Sequence, residues 1–160
     1  MRYFTIIAAI FTGELLLKNH VERTWQEGQN RPFFRRAFLL RRYHNKGACL
    51  NLGERRRSVV AAVSVLLTAA LTAVFLFTLT RKGGAWLKTA LSLLLGGAYS
   101  NTYDRLKRKY VVDYFSFNVK WEPLRRIVFN LSDFCILVGA LALAFGGSAG
   151  GSRQVSEAGR

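Results

Sequence analysis

Residues 58–80, SVVAAVSVLLTAALTAVFLFTLT, carry no charge over 23 positions. A helix needs about 20 apolar residues to cross the hydrocarbon core of a bilayer. This run meets that length, and its many small residues let neighbouring helices approach closely. Three more apolar runs occupy 2–18, 85–102 and 127–145. Together they predict an all-α integral membrane protein with four transmembrane helices. Run 2–18 is short, and Arg2 and Lys18 at its ends can snorkel to extend its reach. A cleaved signal peptide is the competing reading, given the basic start and the core at 4–11. No small-x-small cleavage site follows, however; Glu14 and a run of Leu come instead, which favours a retained span. In run 85–102, Trp86 is placed as an interface anchor, Lys88 can snorkel, and Gly96-Gly97-Ala98 permits close helix approach.

The 160 residues suit one compact domain, predicted over 1–146, with the Gly/Ser-rich 147–160 as a disordered tail. The chain is 51% hydrophobic and yet carries a formal net charge of +15. A pI near 10.8 could suggest a nucleic-acid binder. The basic residues lie between membrane-length runs, though, so anionic lipid head groups are the natural counter-charge and no nucleic acid is expected. Cys49 and Cys135 form no CxxC pair and read as free thiols. His20 and His44 lack metal-ligand spacing and read as loop residues, so neither metal nor cofactor is implied.

Two long connections separate the runs, 19–57 and 103–126. In the first, Phe33-Phe34, the apolar stretch 37–40 and Tyr43 interleave with Arg35, Arg36, Arg41 and Arg42. This predicts short strands on the membrane surface, a small extracytoplasmic β-rich loop domain between helices 1 and 2. In the second, Tyr114, Phe115, Phe117 and Trp121 form an aromatic cluster typical of a head-group interface, and 121–123 reads as a turn.

The chemistry concentrates between 96 and 139, where the three Asp of the chain, Asp104, Asp113 and Asp133, are flanked at the ends of the apolar runs by Asn101 and Asn130. Carboxylates at the lip of membrane-length segments are costly to desolvate and point to function. A single Asp at such a boundary would more simply cap a helix or pair with an Arg. Five ordered polar residues between two spans favour chemistry. Two carboxylates held together share a proton, because like charges at close range resist joint ionisation. The ionised member can activate a water and the neutral one can protonate a carbonyl. Asp113 and Asp133 can supply such a pair.

GGAYSNTYDR at 96–105, VVDY at 111–114 and FNLSD at 129–133 resemble the bacterial lipoprotein signal peptidase, signal peptidase type II, whose usual pattern is GGALGNLxDR, VVDF and FNxAD. Tyr99-Ser100 stand for Leu-Gly and Ser132 for Ala. Asn45-x-Gly47-Ala48 resembles a further motif, with Cys49-Leu50 in place of Ala-Phe; alone, Asn-x-Gly would be read as a turn. Glu14 stands where the family has Asp, four residues before Lys18, a spacing at which the two can also simply pair on a helix. The resemblance implies an aspartyl endopeptidase with Asp113 and Asp133 as the catalytic pair. It implies that Asn45, Asn101 and Asn130 bind the substrate backbone and orient the pair. Asp104 with Arg105 would form a supporting ion pair.

By the same resemblance the substrate is a diacylglyceryl-modified prolipoprotein, cut before the lipidated Cys. The enzyme would be a multi-pass monomer of the bacterial cytoplasmic (inner) membrane among phospholipids, with its active site at the extracytoplasmic face. Charge counting conflicts with that orientation. The two long connections hold 10 and 7 Lys/Arg, which the positive-inside rule would keep in the cytoplasm. The resemblance is followed here, because the substrate has already been translocated. The alternative is a non-catalytic relative that binds lipids or lipopeptides, motivated by Glu14 and Cys49-Leu50 and opposed by the intact Asp113 and Asp133.

Overall fold

The computed structural model describes residues 1–48 and 53–146. The Cys49-Leu50 motif positions and the tail predicted at 147–160 lie outside the described residues. Five helices and three strands run in the order α1 (Arg2–Thr24), β1 (Arg31–Phe33), β2 (Phe38–Asn45), α2 (Arg57–Leu79), α3 (Ala85–Lys107), β3 (Val111–Phe117), α4 (Glu122–Arg126) and α5 (Leu131–Gly146), with a 3-10 turn at Glu54–Arg56 leading into α2. The chain is mainly helical, with one small sheet. Among the described residues, two helices are long and apolar enough to cross a membrane, Arg2–Thr24 and Glu54–Leu79. α5 is apolar but shorter, at 16 residues.

α3 is the hub on which α1, α2 and α5 pack. That position explains its composition. A central helix buries most of its surface in protein, so it can carry Ser92, Ser100, Asn101 and Asp104 at buried positions if each finds a partner. Two hydroxyl pairs tie it to α2: Thr68 with Thr102 at 2.9 Å and Thr72 with Tyr99 at 2.7 Å. Below them Phe75, Leu91 and Leu95 form an apolar core that Tyr3, Ile7 and Leu143 join, so all four long helices meet there. The outer face of α2 is the reverse. Val59, Val63, Leu66, Leu67, Leu76 and Phe77 are exposed, an apolar surface fitted to lipid rather than water.

α3 and α5 cross at glycines. A Cβ on Gly97 would lie 2.5 Å from the Ser132 carbonyl oxygen, and one on Gly139 would lie 2.7 Å from that of Ala90. Backbone cannot give way as a side-chain end can. Gly97→Ala is therefore expected to destabilise the protein by about 1–3 kcal/mol through overpacking. A lowered unfolding midpoint in detergent is the check, with slowed cleavage beside it, because Ser132 neighbours Asp133.

The sheet departs from the expected layout. It is antiparallel in the order β1-β2-β3, and β3 comes from the second connection rather than from the loop between helices 1 and 2. The long aromatic stretch at 114–117 pairs with β2, Leu40 opposite Phe115 and Phe38 opposite Phe117, and ring packing of Phe38 on Phe115 and Phe117 accompanies the match. An irregularity between Leu40 and Tyr43 shifts the register and sets Tyr43 opposite Asp113.

Smaller corrections follow from the same packing. α1 continues to Thr24, so His20 is helical, and His44 belongs to β2. Lys18 lies inside α1 with only 1% of its surface exposed and does not snorkel. Residues 122–126 form a helical turn with Pro123 at its start, where the missing N–H costs nothing. α5 begins at Leu131. The residues before it are extended: Phe129 bridges to Phe115, with Phe129 N–H donating to the Phe115 carbonyl at 2.6 Å. This bridge brings the α5 start against β3.

Candidate active site

Asn130 is the residue on which the site turns. It caps α5: its Oδ1 accepts the Asp133 N–H at 3.0 Å, while Asp133 Oδ2 accepts the Asn130 N–H at 3.0 Å. This is a reciprocal capping box, satisfying two donors that a helix start leaves free. The side-chain amide of Asn130 remains available, and it donates to Asp113 Oδ1 at 2.6 Å. One residue thus holds both carboxylates, Asp133 through its main chain and Asp113 through its side chain.

The other two Asn complete the frame. Asn45, at the end of β2, donates to Asp113 Oδ2 at 3.1 Å. Its Oδ1 also accepts the Gly47 N–H at 3.1 Å, so this Asn forms a local turn contact and reaches Asp113 at once. Asn101 donates to Asp133 Oδ1 at 2.9 Å. Its own Oδ1 faces Lys18, whose ammonium donates to it at 2.9 Å and to Ser100 Oγ at 3.0 Å. The ammonium therefore decides which way the Asn101 amide points.

Asp113 is 1% exposed. Burial first, and then the charge of Asp133, push its pKa up to about 8, against the opposing effect of the Asn130 and Asn45 hydrogen bonds. Asp133 is half-buried. A cavity of about 280 Å³ is walled by Leu17, Tyr114, Phe115, Asn130, Leu131 and Phe134, and neither aspartate lines it. A larger apolar groove of about 1060 Å³ runs between α1, α2 and α3, past Phe11, Val65, Leu76 and Tyr103; neither aspartate lines it.

Around this core lies a buried ionic cluster. Lys18 Nζ is 3.2 Å from Glu14 Oε2 and 3.1 Å from Asp104 Oδ2. Asp104 does not pair with Arg105. It bonds Arg108 Nε at 2.7 Å through Oδ1 and accepts the Val112 N–H at 3.2 Å through Oδ2. The reason is helical geometry: Arg108 is one turn on from Asp104, whereas the adjacent Arg105 leaves the helix in another direction. Arg105 instead approaches the carbonyls of Asn101 and Gly47, each at 3.4 Å. Its Nε is buried without a hydrogen-bond partner among the described residues.

Two participants escape sequence reasoning. For Lys18 the spacing offers the pairing with Glu14, which is found; what escapes is its place as the buried cation that Asp104, Ser100 and Asn101 also share. Tyr114 looks like an interface aromatic. It is buried, and its hydroxyl donates to Glu14 Oε1 at 2.5 Å. The available signal was its place in a strand: side chains alternate faces, so the neighbour of Asp113 must point to the opposite side, into the core against α1.

Comparison with known proteins identifies the family. The family model for signal peptidase (SPase) II matches residues 6–147. The lipoprotein signal peptidase of Pelotomaculum thermopropionicum is 32% identical over 145 residues, covering 91% of this chain and 90% of the relative. That of Moorella thermoacetica is 28% identical over 145 residues, 91% of each chain. That of Pseudomonas aeruginosa is 41% identical over a shorter stretch of 90 residues, 56% of this chain and 51% of the relative. A solved structure described as a bacterial membrane enzyme superposes with a TM-score of 0.80 at 17% identity, over 95% of this chain and 90% of that one; at that identity the likeness speaks for the fold. With the family model covering nearly the whole chain, the protein belongs to the signal peptidase II family of aspartyl proteases.

Proposed function

We propose that this chain removes signal peptides from diacylglyceryl-modified prolipoproteins, cutting before the lipidated Cys, with Asp113 and Asp133 as the catalytic pair. The observation that carries the assignment is the double grip of Asn130 on both carboxylates. Asp113, deeply buried and pushed up to about 8, carries the shared proton. Asp133 is the ionised partner and takes a proton from the attacking water. The water oxygen bonds to the scissile carbonyl carbon as Asp113 gives its proton to the carbonyl oxygen. Collapse of the resulting tetrahedral diol breaks the C–N bond: the amine leaves with the proton held by Asp133, and a diol hydroxyl returns its proton to Asp113 as the carbonyl re-forms. Asn45 and Asn101 hold the two carboxylates and face the substrate backbone; Glu14, Asp104 and Arg105 support them from behind.

The same reading places α1, α2, α3 and α5 as four spans of the bacterial inner membrane, with the chain acting as a monomer. The sheet and the aspartates lie at the extracytoplasmic face. In support, Trp86 opens α3 and donates to the Ala142 carbonyl late in α5 at 2.8 Å, which puts an interface anchor at the end of the bundle away from the aspartates. The signal peptide helix lies among the spans, with its cleavage segment entering beside Leu17 and Phe134. The exposed Phe33, Phe34 and Trp121, with the arginines around them, rest on phospholipid head groups.

The test is a gel-shift assay in which purified protein in detergent receives a lipidated prolipoprotein. Wild type is expected to remove the signal peptide, and the Asp113→Asn and Asp133→Asn variants are not. Intact substrate with a folded wild type would sink the proposal. The pair also sets a pH limit. Cleavage needs one proton on the dyad, so the rate is expected to fall as pH rises through about 8, where Asp113 loses its proton. Stability moves in the same direction. The folded Asp113 keeps its proton up to about 8 while its ordinary value is 3.8. The folded state therefore binds more protons across that window, and stability falls as pH rises through it. A kcat profile that stayed flat to pH 10 would contradict this.

A further inference from the structure

Tyr114 joins the strand carrying Asp113 to the start of the helix carrying Asp133. Asp113 and Tyr114 are successive residues of β3, so their side chains leave opposite faces. Asp113 turns to the aspartate pair. Tyr114 turns into an apolar cluster with Val21 and Val112, packed by Trp25 and Tyr110, and is 7% exposed. Within that cluster its hydroxyl donates to Glu14 Oε1 at 2.5 Å. The Leu131 N–H closes the triangle, donating to the Tyr114 hydroxyl at 2.9 Å and to Glu14 Oε1 at 3.1 Å.

Leu131 is the first residue of α5, two before Asp133. A helix start leaves its first N–H groups without partners. Here the Asp133 N–H is taken by Asn130, and the Leu131 N–H is taken by two groups from outside the helix, one on β3 and one on α1. A carboxylate at this end also meets the positive end of the helix dipole. Both groups depart from the usual family pattern, which has Phe at the position of Tyr114 and Asp at that of Glu14. The longer acid reaches what the shorter one would not, and it meets the hydroxyl that Phe would lack.

We propose that Tyr114 is a positioning residue for the peptidase reaction, acting with Glu14 as one unit that pins the first turn of α5, and so Asp133, to the strand carrying Asp113. The inference rests on the assignment of Asp113 and Asp133 as the catalytic pair. It concerns the chemical step and not substrate capture: the ring borders the cavity beside Leu17 and Phe134 and is kept in Tyr114→Phe, whereas the hydroxyl that the variant removes has spent its hydrogen bonds on Glu14 and Leu131.

The test compares wild type, Tyr114→Phe, Glu14→Asp and the double variant in full-length protein in detergent, with a diacylglyceryl-modified prolipoprotein as the probe and Asp113→Asn as the control. Tyr114→Phe removes one oxygen and keeps the ring in its cluster. It is expected to lower kcat about tenfold and leave KM within about twofold, the signature of a group that acts on the transition state alone. Glu14→Asp approaches the same contact from the other side and is expected to do likewise; it carries the comparison alone should Tyr114→Phe not fold. The double variant is expected to be no slower than the slower single one, because the two changes remove one unit. A kcat for the single variants within twofold of wild type, or losses that multiply in the double variant, would overturn the proposal while leaving the dyad standing. Cleavage by Asp113→Asn at the wild-type rate would remove the dyad and this inference with it.

Discussion

Asp113→Asn is expected to insert and fold as wild type does and to cleave at least about a thousandfold more slowly, the range in which general acid–base groups contribute. Asn keeps the size of Asp and cannot carry the transferable proton. The buried environment makes the two halves of this expectation separable. Asp113 sits where burial and Asp133 both oppose ionisation, so a neutral amide relieves that cost, but its NH₂ must face one of the two amides, Asn130 or Asn45, that donate to the carboxylate. The stability deficit of the variant is therefore expected to shrink as pH rises through about 8, where wild type must bury a charge at this position. Cleavage should stay low across that range, so the two readouts separate. A variant that lost both would have lost its fold. One that cleaved normally would end the assignment of Asp113.

Asp133→Asn is expected to carry the same conflict of donors. Asp133 Oδ2 accepts the Asn130 N–H in the capping box. An amide can serve there through its oxygen, but then its NH₂ faces Asn101, which already donates to Oδ1. Two donors would point at each other, so this variant should be both inactive and less stable.

The elements that carry the site were legible in the sequence to very different degrees. The uncharged run at 58–80 was plain, because lipid imposes one composition on an entire exposed face. α3 was harder. As the hub it is sheltered by its neighbours, so hydropathy understates it. The Asn and Asp positions stood out because polar groups at such boundaries need a reason. What escaped was partnership. Asp104 lies next to Arg105 in the chain and pairs with Arg108 and Lys18 in space. Tyr114 belongs to an aromatic run in which Phe115 and Phe117 pack against Phe38, and only the alternation of the strand sends it elsewhere. The sheet crossed the expected boundary for a similar reason: β2 needed a partner for its second edge, and the matching stretch lay some 70 residues away, beyond two helices. Three departures from the family pattern each have a partner. Tyr99 bonds Thr72, Ser100 accepts from Lys18, and Glu14 reaches Tyr114.

Lys18→Met is expected to be the most damaging single change outside the aspartates. Met matches the length and apolar stem of Lys and removes only the ammonium. That ammonium is 1% exposed and has four neighbours: Glu14, Asp104, Ser100 and Asn101. Its loss leaves two buried carboxylates short of their common cation. Asp104 keeps Arg108, and Glu14 keeps only neutral donors, Tyr114 and the Leu131 N–H. Breaking a buried pair from one side typically costs about 3–5 kcal/mol, a large share of the stability of a domain this size. A second consequence is chemical. Asn101 presents its amide NH₂ to Asp133 because its oxygen faces Lys18, and without the ammonium the amide is free to turn. Glu14→Gln added to Lys18→Met separates the two effects. Neutralising the stranded carboxylate should recover part of the unfolding midpoint, whereas nothing restores the orientation of Asn101, so cleavage should stay low. If Lys18→Met alone unfolded within about 1 kcal/mol of wild type and cleaved at the wild-type rate, the buried cluster would have no bearing on the site it surrounds.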